Sequence, residues 1–583
     1  MRTCLTDSSG SATSPDAAPA AGLRRVPGPG MAPALVAVLA AVSLTTADAR
    51  QAAEFDLVIR GGTVIDGSGV PGVSADVAVR NGRILRVGRV AAGTAARDID
   101  ARGLVVAPGF IDVHTHADEL ADRAAAANYV RMGVTTVVAG NCGGSAANVG
   151  KALALVASTP VAVNFATLVG HNDVREAVMG RARRAPTAEE LGRMKTLVET
   201  AMKDGAIGLS TGLQYVPGVY ADRTEIVELA KVVGAFGGVY ATHMRNEGTA
   251  VDEAVAEAIA IGEAAGCPVQ ISHLKIDSPN RWGASADVLR QIDRARARGV
   301  RVGADQYAYT AAASSLSIRF PAWALEGGRE RIRERLTDEP TWRKIKEEIK
   351  GLLAERGIAD LGFAVVASYK ADPSFNGLSI KQVAARVRGA DTADDQFEVA
   401  RQIMLGGDAS MVYHFMSEDD VKTIMRHPQV SVASDSDLVV PGQGVPHPRS
   451  YGNTVRVLGR YVRELKVIPI EEAVRKMTSL PASQLGLGRR GLVREGYPAD
   501  LVVFDPSTVA DRATFDQPHQ YPIGVLHVLV NGVVVVDSGT QTTARPGTVL
   551  RRGDGGSASG PAAQAGRGVF LHAGSLSRGR PRA

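Results

Sequence analysis

The sequence predicts an α/β protein: a (β/α)8 barrel, a small β-sandwich domain built from both chain ends, and a helical insert before strand eight. Three observations carry this. Eight short apolar runs alternate with segments of helical periodicity through the middle of the chain. Both ends have another texture, alternating apolar and polar residues between Gly-rich turns. Of the 11 histidines, five fall at the ends of the apolar runs, where a barrel keeps its chemistry.

The elements follow in order. Residues 1–50 form a leader: the apolar run and Ala47-Asp48-Ala49 of Met31–Arg50, flanked by Arg24 and Arg25, resemble a secretory signal peptide. This predicts export to a periplasmic or extracellular location; if the segment is a disordered leader with a chance apolar run, the chain is cytoplasmic. Residues 51–107 open the β-domain with "FDLVIRGGTVIDGSG" and "ADVAVRNGRILRVG". The barrel occupies 108–485. Its runs are "LVVAPGFIDVHTH", "TTVVAGNCG", "PVAVNFATLVGH", "GAIGLSTG", "GGVYATHMR", "CPVQISHLK", "VRVGADQYAY" and "QVSVASDSD". Before the last run the gap is long, and "TWRKIKEEIKGLLAERG" places helices in an insert near 325–410. Residues 486–550 complete the β-domain with "ADLVVFD" and "VLHVLVNGVVVVDSG". Residues 551–583, rich in Gly, Ser, Ala and Arg, read as a disordered tail.

A chain of 583 residues with 45% hydrophobic and 22% charged content is long enough for a large core and a smaller one. The net charge of +5 lies at the ends. Residues 1–50 hold four Arg and three Asp, and residues 551–583 hold six Arg and one Asp, which leaves −1 for residues 51–550. Nucleic acid is therefore not an expected partner. No stretch after the leader is apolar enough to span a membrane. Three cysteines make no disulfide framework. Cys4 lies in the leader, and Cys267 reads as a small buried residue at a strand start. Oligomeric state is not legible.

The strand ends, read in order, are His114 and His116, Cys142, His171, Ser210, His243, His273, Tyr307 and Asp435. His114 and His116 share a strand face. His243 and His273 end neighbouring strands, so their rings can converge. Cys142 offers a thiolate that a metal would keep ionised. Asp435 ends strand eight, beside strand one in a closed barrel, where a carboxylate can be a weak ligand, a general base, or both. His, Cys and Asp are zinc-binding residue types. Each has a plainer reading alone; His171 also fits a turn cap, and a polar strand end would suit His114 and His116. Lys275 shares the face of His273, and Arg449 carries a planar fork suited to a carboxylate. Tyr307 and Tyr309 compete for one face. His414 and His447 read as structural or supporting.

The strand "GFIDVHTH", two later single histidines and the strand-eight Asp resemble the amidohydrolase superfamily. Strand four, "GAIGLSTG", lacks the lysine that bridges two metals in most binuclear members, and "GNCG" supplies Cys142 instead. With "GLSTGLQYVPG", "THMRNE", "SHLK", "ASDSD", "PHPRSYGNTVRVLG" and "ADRATFDQPHQYPIGVLHVLVNG", residues 55–540 resemble the N-acyl-D-amino-acid deacylase (D-aminoacylase) family. The resemblance implies zinc-dependent hydrolysis of N-acyl-D-amino acids by metal-activated water, with Asp435 as acid/base. It implies a tight zinc on Cys142, His243 and His273. It implies a weaker second site on His114, His116, Asp435 and a bridging Cys142. It implies that Lys275, Tyr307 and Arg449 bind the α-carboxylate and that Tyr215 lines the pocket. The expected partner is thus a small N-acyl amino acid. The stretch "SDLVVPGQGV" after Asp435 is longer than the family pattern suggests and bears on side-chain and acyl preference. Alternatives are a hydantoinase- or dihydroorotase-like cyclic-amide hydrolase, a dipeptidase releasing a D-residue, and a non-catalytic binding protein.

Overall fold

The computed structural model describes residues 53–552. The leader and the tail after residue 552 lie outside the described residues, and with them the signal-peptide and disordered-tail expectations. Eight parallel strands form the barrel: Phe110–Asp112, Val134–Ala139, Asn164–Thr167, Gly208–Gly212, Val239–His243, Val269–Ile271, Val302–Gln306 and Val430–Val432. Seven lie within the apolar runs, and the second begins one residue before its run, at Val134. The first three pair in sequence, and the fourth to eighth pair in sequence. Val169–Gly170, after strand three, pairs with strand four. Closure comes from Ser436–Asp437 running parallel to Thr115–His116, with Asp435 N–H donating to His114 O at 2.9 Å. That seam brings the two ends of the barrel's sequence, and with them His116 and Asp435, side by side.

The helices between strands follow from their patterns. Ala188–Asp204 is opened by a capping box in which Thr187 and Glu190 satisfy each other's backbone N–H groups. It buries Met194, Val198, Ala201 and Met202, one stripe at helical spacing, and stops at Gly205 in the left-handed region.

The two chain ends pair into one nine-stranded mixed sheet. Val105–Pro108 and Leu501–Phe504 join the halves in antiparallel register. Alternate residues face opposite ways. Ile59, Val77, Ile84, Val106, Leu501 and Leu529 share the sheet's own core, so the single sheet encloses an interior as a sandwich does. Val502, Phe504, Val528 and Val530 face the barrel, packing in the core that holds Val134, Val137 and Phe165.

Two features differ from the reading of the sequence. "LVVAPGFIDVHTH" is not one strand: Val105–Pro108 belongs to the end sheet and Phe110–Asp112 to the barrel. Gly109 makes the transition, since a Cβ there would collide with the Thr135 side chain. The insert is helical but also holds a three-stranded antiparallel sheet of Ala312–Ser315, Ser410–Tyr413 and Ala364–Ser368. Two of these strands lie at or beyond the ends of the 325–410 segment. Their sequences, "AASS" and "SMVY", are too short and too weakly patterned to stand out. The helix Glu339–Glu355 packs this sheet by burying Trp342, Ile345, Ile349 and Leu353. Among the described residues no helix is long and apolar enough to cross a membrane.

Candidate metal centre

The barrel's C-terminal rim opens into a cavity of about 400 Å³, roofed by the insert sheet. At its floor the Cys142 sulfur lies 3.3 Å from His114 Nε2, 3.6 Å from His273 Nε2 and 3.7 Å from His243 Nδ1. Asp435 Oδ1 lies 3.4 Å from His114 Nε2 and 3.2 Å from His116 Nε2. Zn–S near 2.3 Å and Zn–N near 2.0 Å at a tetrahedral angle put S and N about 3.5 Å apart. The observed spacings match that figure. The other ring nitrogens, His114 Nδ1 and His243 Nε2, lie 3.7 Å from Asp305 and 3.6 Å from Glu247, so carboxylates stand behind both rings, and the donor set joins imidazoles, a thiolate and a carboxylate. The residues therefore fit a divalent metal of the zinc type.

Backbone conformation marks the same residues. Cys142, His273 and Asp435 have φ of 53°, 36° and 53°, a region that L-residues avoid at a cost of about 1–3 kcal/mol each. Nine non-glycine residues among those described have such angles, and three of the nine meet in this one cluster. Packing holds them there. The Cys142 loop is fixed by Ser210, whose hydroxyl donates to Gly140 O at 2.5 Å and accepts from Gly143 N–H at 3.0 Å. Ser210 is what strand four presents at the rim; no lysine stands there. Gly212 lets strand four pass under this loop, where a Cβ would run into the Cys142 carbonyl. His273 N–H donates to Asp305 Oδ1 at 2.8 Å, and Gln270 holds the other carboxylate oxygen at 2.7 Å.

The electrostatics favour positive charge at the cluster. Burial raises the Cys142 thiol, but His114 foremost, then His116 and His243, bring it well below its usual value. Burial likewise opposes ionisation of Asp435, and Arg449, His273 and His114 overcome it, holding the carboxyl well below its ordinary range. Burial and Lys275 lower His273, yet Glu247, Asp435 and Cys142 push it up to about 10. A proton is thus held tightly where a metal would take its place.

Two buried acids of the site, Glu247 and Asp305, escaped the reading of the sequence. Glu247 Oε1 lies 2.9 Å from His273 Nδ1 and 2.6 Å from Lys275 Nζ. Lys275 Nζ is also 2.7 Å from His273 Nδ1, but an ammonium can only donate. In the neutral ring we assign the proton to Nδ1, donating to Glu247, which leaves the Nε2 lone pair facing Cys142. The signal for Glu247 was its position four residues after His243 in "THMRNE".

The other candidates divide. Lys275, Tyr307, Arg449 and Tyr215 all line the cavity. Arg449 Cζ sits 4.6 Å over the Tyr307 ring and Lys275 Nζ 5.7 Å over it. Arg449 Nη1 lies 2.9 Å from Asp435 Oδ2 as an ion pair, without hydrogen-bond alignment. Tyr215 packs edge-on against His243, 4.7 Å between centroids, and its hydroxyl meets Ser314 Oγ at 3.2 Å. Tyr309 does not reach the cavity: its hydroxyl donates to Asp511 Oδ2 at 3.4 Å. Alternation ends with the strand at Gln306, so sharing a face with Tyr307 no longer applies. His447 lines the cavity and accepts from Arg449 N–H at 3.0 Å, which seats the arginine. His414 packs on Phe515, and His171 is buried against Glu225 at 2.8 Å, away from the metal cluster. Cys267 is buried, as its setting suggested.

Fold and site define a barrel protein whose C-terminal rim gathers histidine, cysteine and carboxylate side chains that could hold a metal. The amidohydrolase family profile matches residues 97–536. The N-acyl-D-glutamate deacylase of Alcaligenes xylosoxydans xylosoxydans is 38% identical, over 86% of this chain and 97% of that relative. The D-aminoacylase of the same organism is also 38% identical, over 85% and 98%. The crystal structure of N-acyl-D-glutamate deacylase from Bordetella bronchiseptica, complexed with zinc and a phosphonate inhibitor mimicking the tetrahedral intermediate, is 37% identical. It superposes with a TM-score of 0.74 over 86% of this chain and 100% of that one. The chain belongs to the amidohydrolase family, in its N-acyl-D-amino-acid deacylase (D-aminoacylase) group.

Proposed function

We propose that the protein hydrolyses N-acyl-D-amino acids to a carboxylic acid and a free D-amino acid, with zinc as its metal. The observation that carries this reading is the Cys142 sulfur ringed by three imidazole nitrogens at 3.3–3.7 Å beside the Asp435 carboxylate. Cys142, His243 and His273 would hold the tighter ion. His114, His116 and Asp435, sharing Cys142, would hold a weaker one. When bound, the metal supplies Lewis-acid polarisation of the scissile carbonyl and a lowered pKa for water. The zinc complex of the Bordetella relative supports the choice of ion.

The chain's own groups supply the rest. Asp435 is ionised at neutral pH, so it accepts the proton of the attacking water and passes it to the leaving amine nitrogen. Lys275, Tyr307 and Arg449 converge around one ring and bind the α-carboxylate, with Arg449 reaching from there to Asp435. Tyr215 forms the opposing wall against His243. With the α-carboxylate and the scissile amide both held, the two enantiomers differ in where the side chain points, and the activity of the two Alcaligenes relatives supports the D form. The leader sequence supports export from the cytoplasm.

The test uses zinc-loaded protein with N-acetyl-D-methionine, N-acetyl-D-glutamate and their L enantiomers, following free amine. Release from D compounds only, abolished by a chelator, is expected. Chelator-insensitive release, release from the L compounds, or release from none would overturn the assignment.

A further inference from the structure

We infer that a second cavity, beside the metal cavity, receives the acyl chain of the substrate, so that the preferred substrates are D-amino acids acylated with an extended apolar chain. This rests on the deacylase reading above and names its acyl class.

The second cavity measures about 360 Å³ and lies between the loop after strand four and the insert. Tyr215, Ser315 and Ile318 line both cavities, so a thin partition separates them. Beyond it the walls are apolar: Val216, Ile318, Leu325, Ile332, Met404 and Leu405. All but Val216 also pack in the insert core around Trp342, which fixes the walls in place. The polar groups of the lining are engaged or stand at the mouth. Asp408 accepts the N–H groups of Ser317 and Ala409 at 3.2 and 2.7 Å, and Gln214 donates to Met244 O at 3.4 Å. The Ser315 and Ser317 hydroxyls meet at 2.8 Å. Arg181 pairs with Glu176 at 2.9 Å, and Arg329 and Arg333 are exposed. What the cavity offers a ligand is therefore apolar surface, continuous with the place where the chemistry occurs.

Bond connectivity says which part of the substrate reaches it. The α-carboxylate and the side chain both leave the α-carbon, on the amine side of the scissile bond. The acyl chain leaves the carbonyl carbon, on the other side. Lys275, Tyr307 and Arg449 gather at the proposed carboxylate position, and none of them lines the second cavity. Tyr215 lines both cavities and packs edge-on against His243, a proposed metal ligand, at 4.7 Å. A carbonyl at the metal whose α-carbon is turned toward the lysine and arginine sends its acyl chain toward Tyr215. From there the small Ser315 and the apolar Ile318 lead into the second cavity. An acetyl group ends at the metal floor and leaves the apolar walls uncovered; a longer chain covers them, and burial of apolar surface favours its binding.

The test measures kcat/KM for the acetyl, butanoyl, hexanoyl and octanoyl derivatives of D-methionine and D-glutamate. Each methylene that reaches the apolar walls predicts about a fourfold rise, so octanoyl should exceed acetyl by about 10- to 100-fold on the better amino acid. Values that fail to rise with chain length overturn the inference and leave the deacylase reading intact. Ile332 and Leu405 line the second cavity and not the first. Ile332→Trp and Leu405→Trp fill it, and should bring the octanoyl-to-acetyl ratio close to one. A general structural defect would lower both substrates together, so a ratio unmoved in both variants overturns the inference. Should the variants fail to fold, the wild-type series still decides. Variants that penalise N-acetyl-D-norleucine against N-acetyl-D-alanine, with the octanoyl-to-acetyl ratio unmoved, place the side chain in the cavity and overturn the inference as well. Hydrolysis of none of these compounds overturns the deacylase reading, and this inference with it.

Discussion

Glu247→Gln tests whether a buried carboxylate orients His273, the proposed metal ligand. Glu247 is 4% exposed and accepts from Lys275 Nζ at 2.6 Å and His273 Nδ1 at 2.9 Å. Burial disfavours its charge, but Lys275, His243 and His273 hold it ionised, well below the usual carboxylate range. Glutamine keeps the shape and one acceptor oxygen, which can serve the imidazole or the ammonium but no longer carries the charge that balances them. Removing a carboxylate that fixes a metal-bound histidine costs about 10- to 100-fold in metal affinity. That is about 1.4–2.7 kcal/mol. At fixed free zinc, the zinc-dependent part of folding stability should shrink by about the same amount. A second cost falls on Lys275, left 3% exposed without its carboxylate. Breaking a buried pair costs about 3–5 kcal/mol, less wherever the lysine sheds its proton. Zinc affinity is measured by competition with a chromophoric chelator, and stability by urea unfolding with and without zinc. An affinity within twofold of wild type would refute the argument, because His273 would then be held without Glu247.

Two further outcomes are expected. Asp435→Asn should retain zinc, since Cys142, His243 and His273 remain, while turnover of N-acetyl-D-amino acids falls by about 10²–10⁴-fold; metal analysis with steady-state kinetics checks both, and normal turnover would remove Asp435 from its role. The thiols should separate by pH. Cys142 is held well below its usual value, so in zinc-stripped protein it is thiolate and alkylates at pH 6. Burial pushes Cys267 up to about 11, so it stays a protonated, unreactive thiol through pH 8. Iodoacetamide labelling with peptide mapping should mark Cys142 and spare Cys267, and zinc should protect Cys142; labelling of Cys267 first would reverse the assignment.

Much of this protein was legible because its signals are local. The eight barrel strands fall on eight apolar runs. Their ends carry His114, His116, Cys142, His243, His273 and Asp435, and the structure gathers those six on one floor. Strand periodicity pointed to His114 and His116, but the barrel strand stops at Asp112, and the two rings meet at Asp435 through the bend at Val113–His114 and not through alternation. It misled at Tyr309, because alternation holds only while the strand lasts, and the chain leaves it at Gln306. The insert sheet was missed because strands of four or five weakly patterned residues acquire their meaning only from the partners they pair with.

By itself the sequence determined which residue types stand at the rim, since hydrophobic period and strand ends are properties of neighbouring residues. Tertiary structure alone decided how those residues are used. Glu247 and Asp305 are ordinary charged letters in the chain. Folding buries the first against Lys275 and His273 and the second under the His273 backbone. The physical reason is that the energy of a charge depends on its desolvation and its partners, and partners 26 to 32 residues apart meet only when the barrel closes.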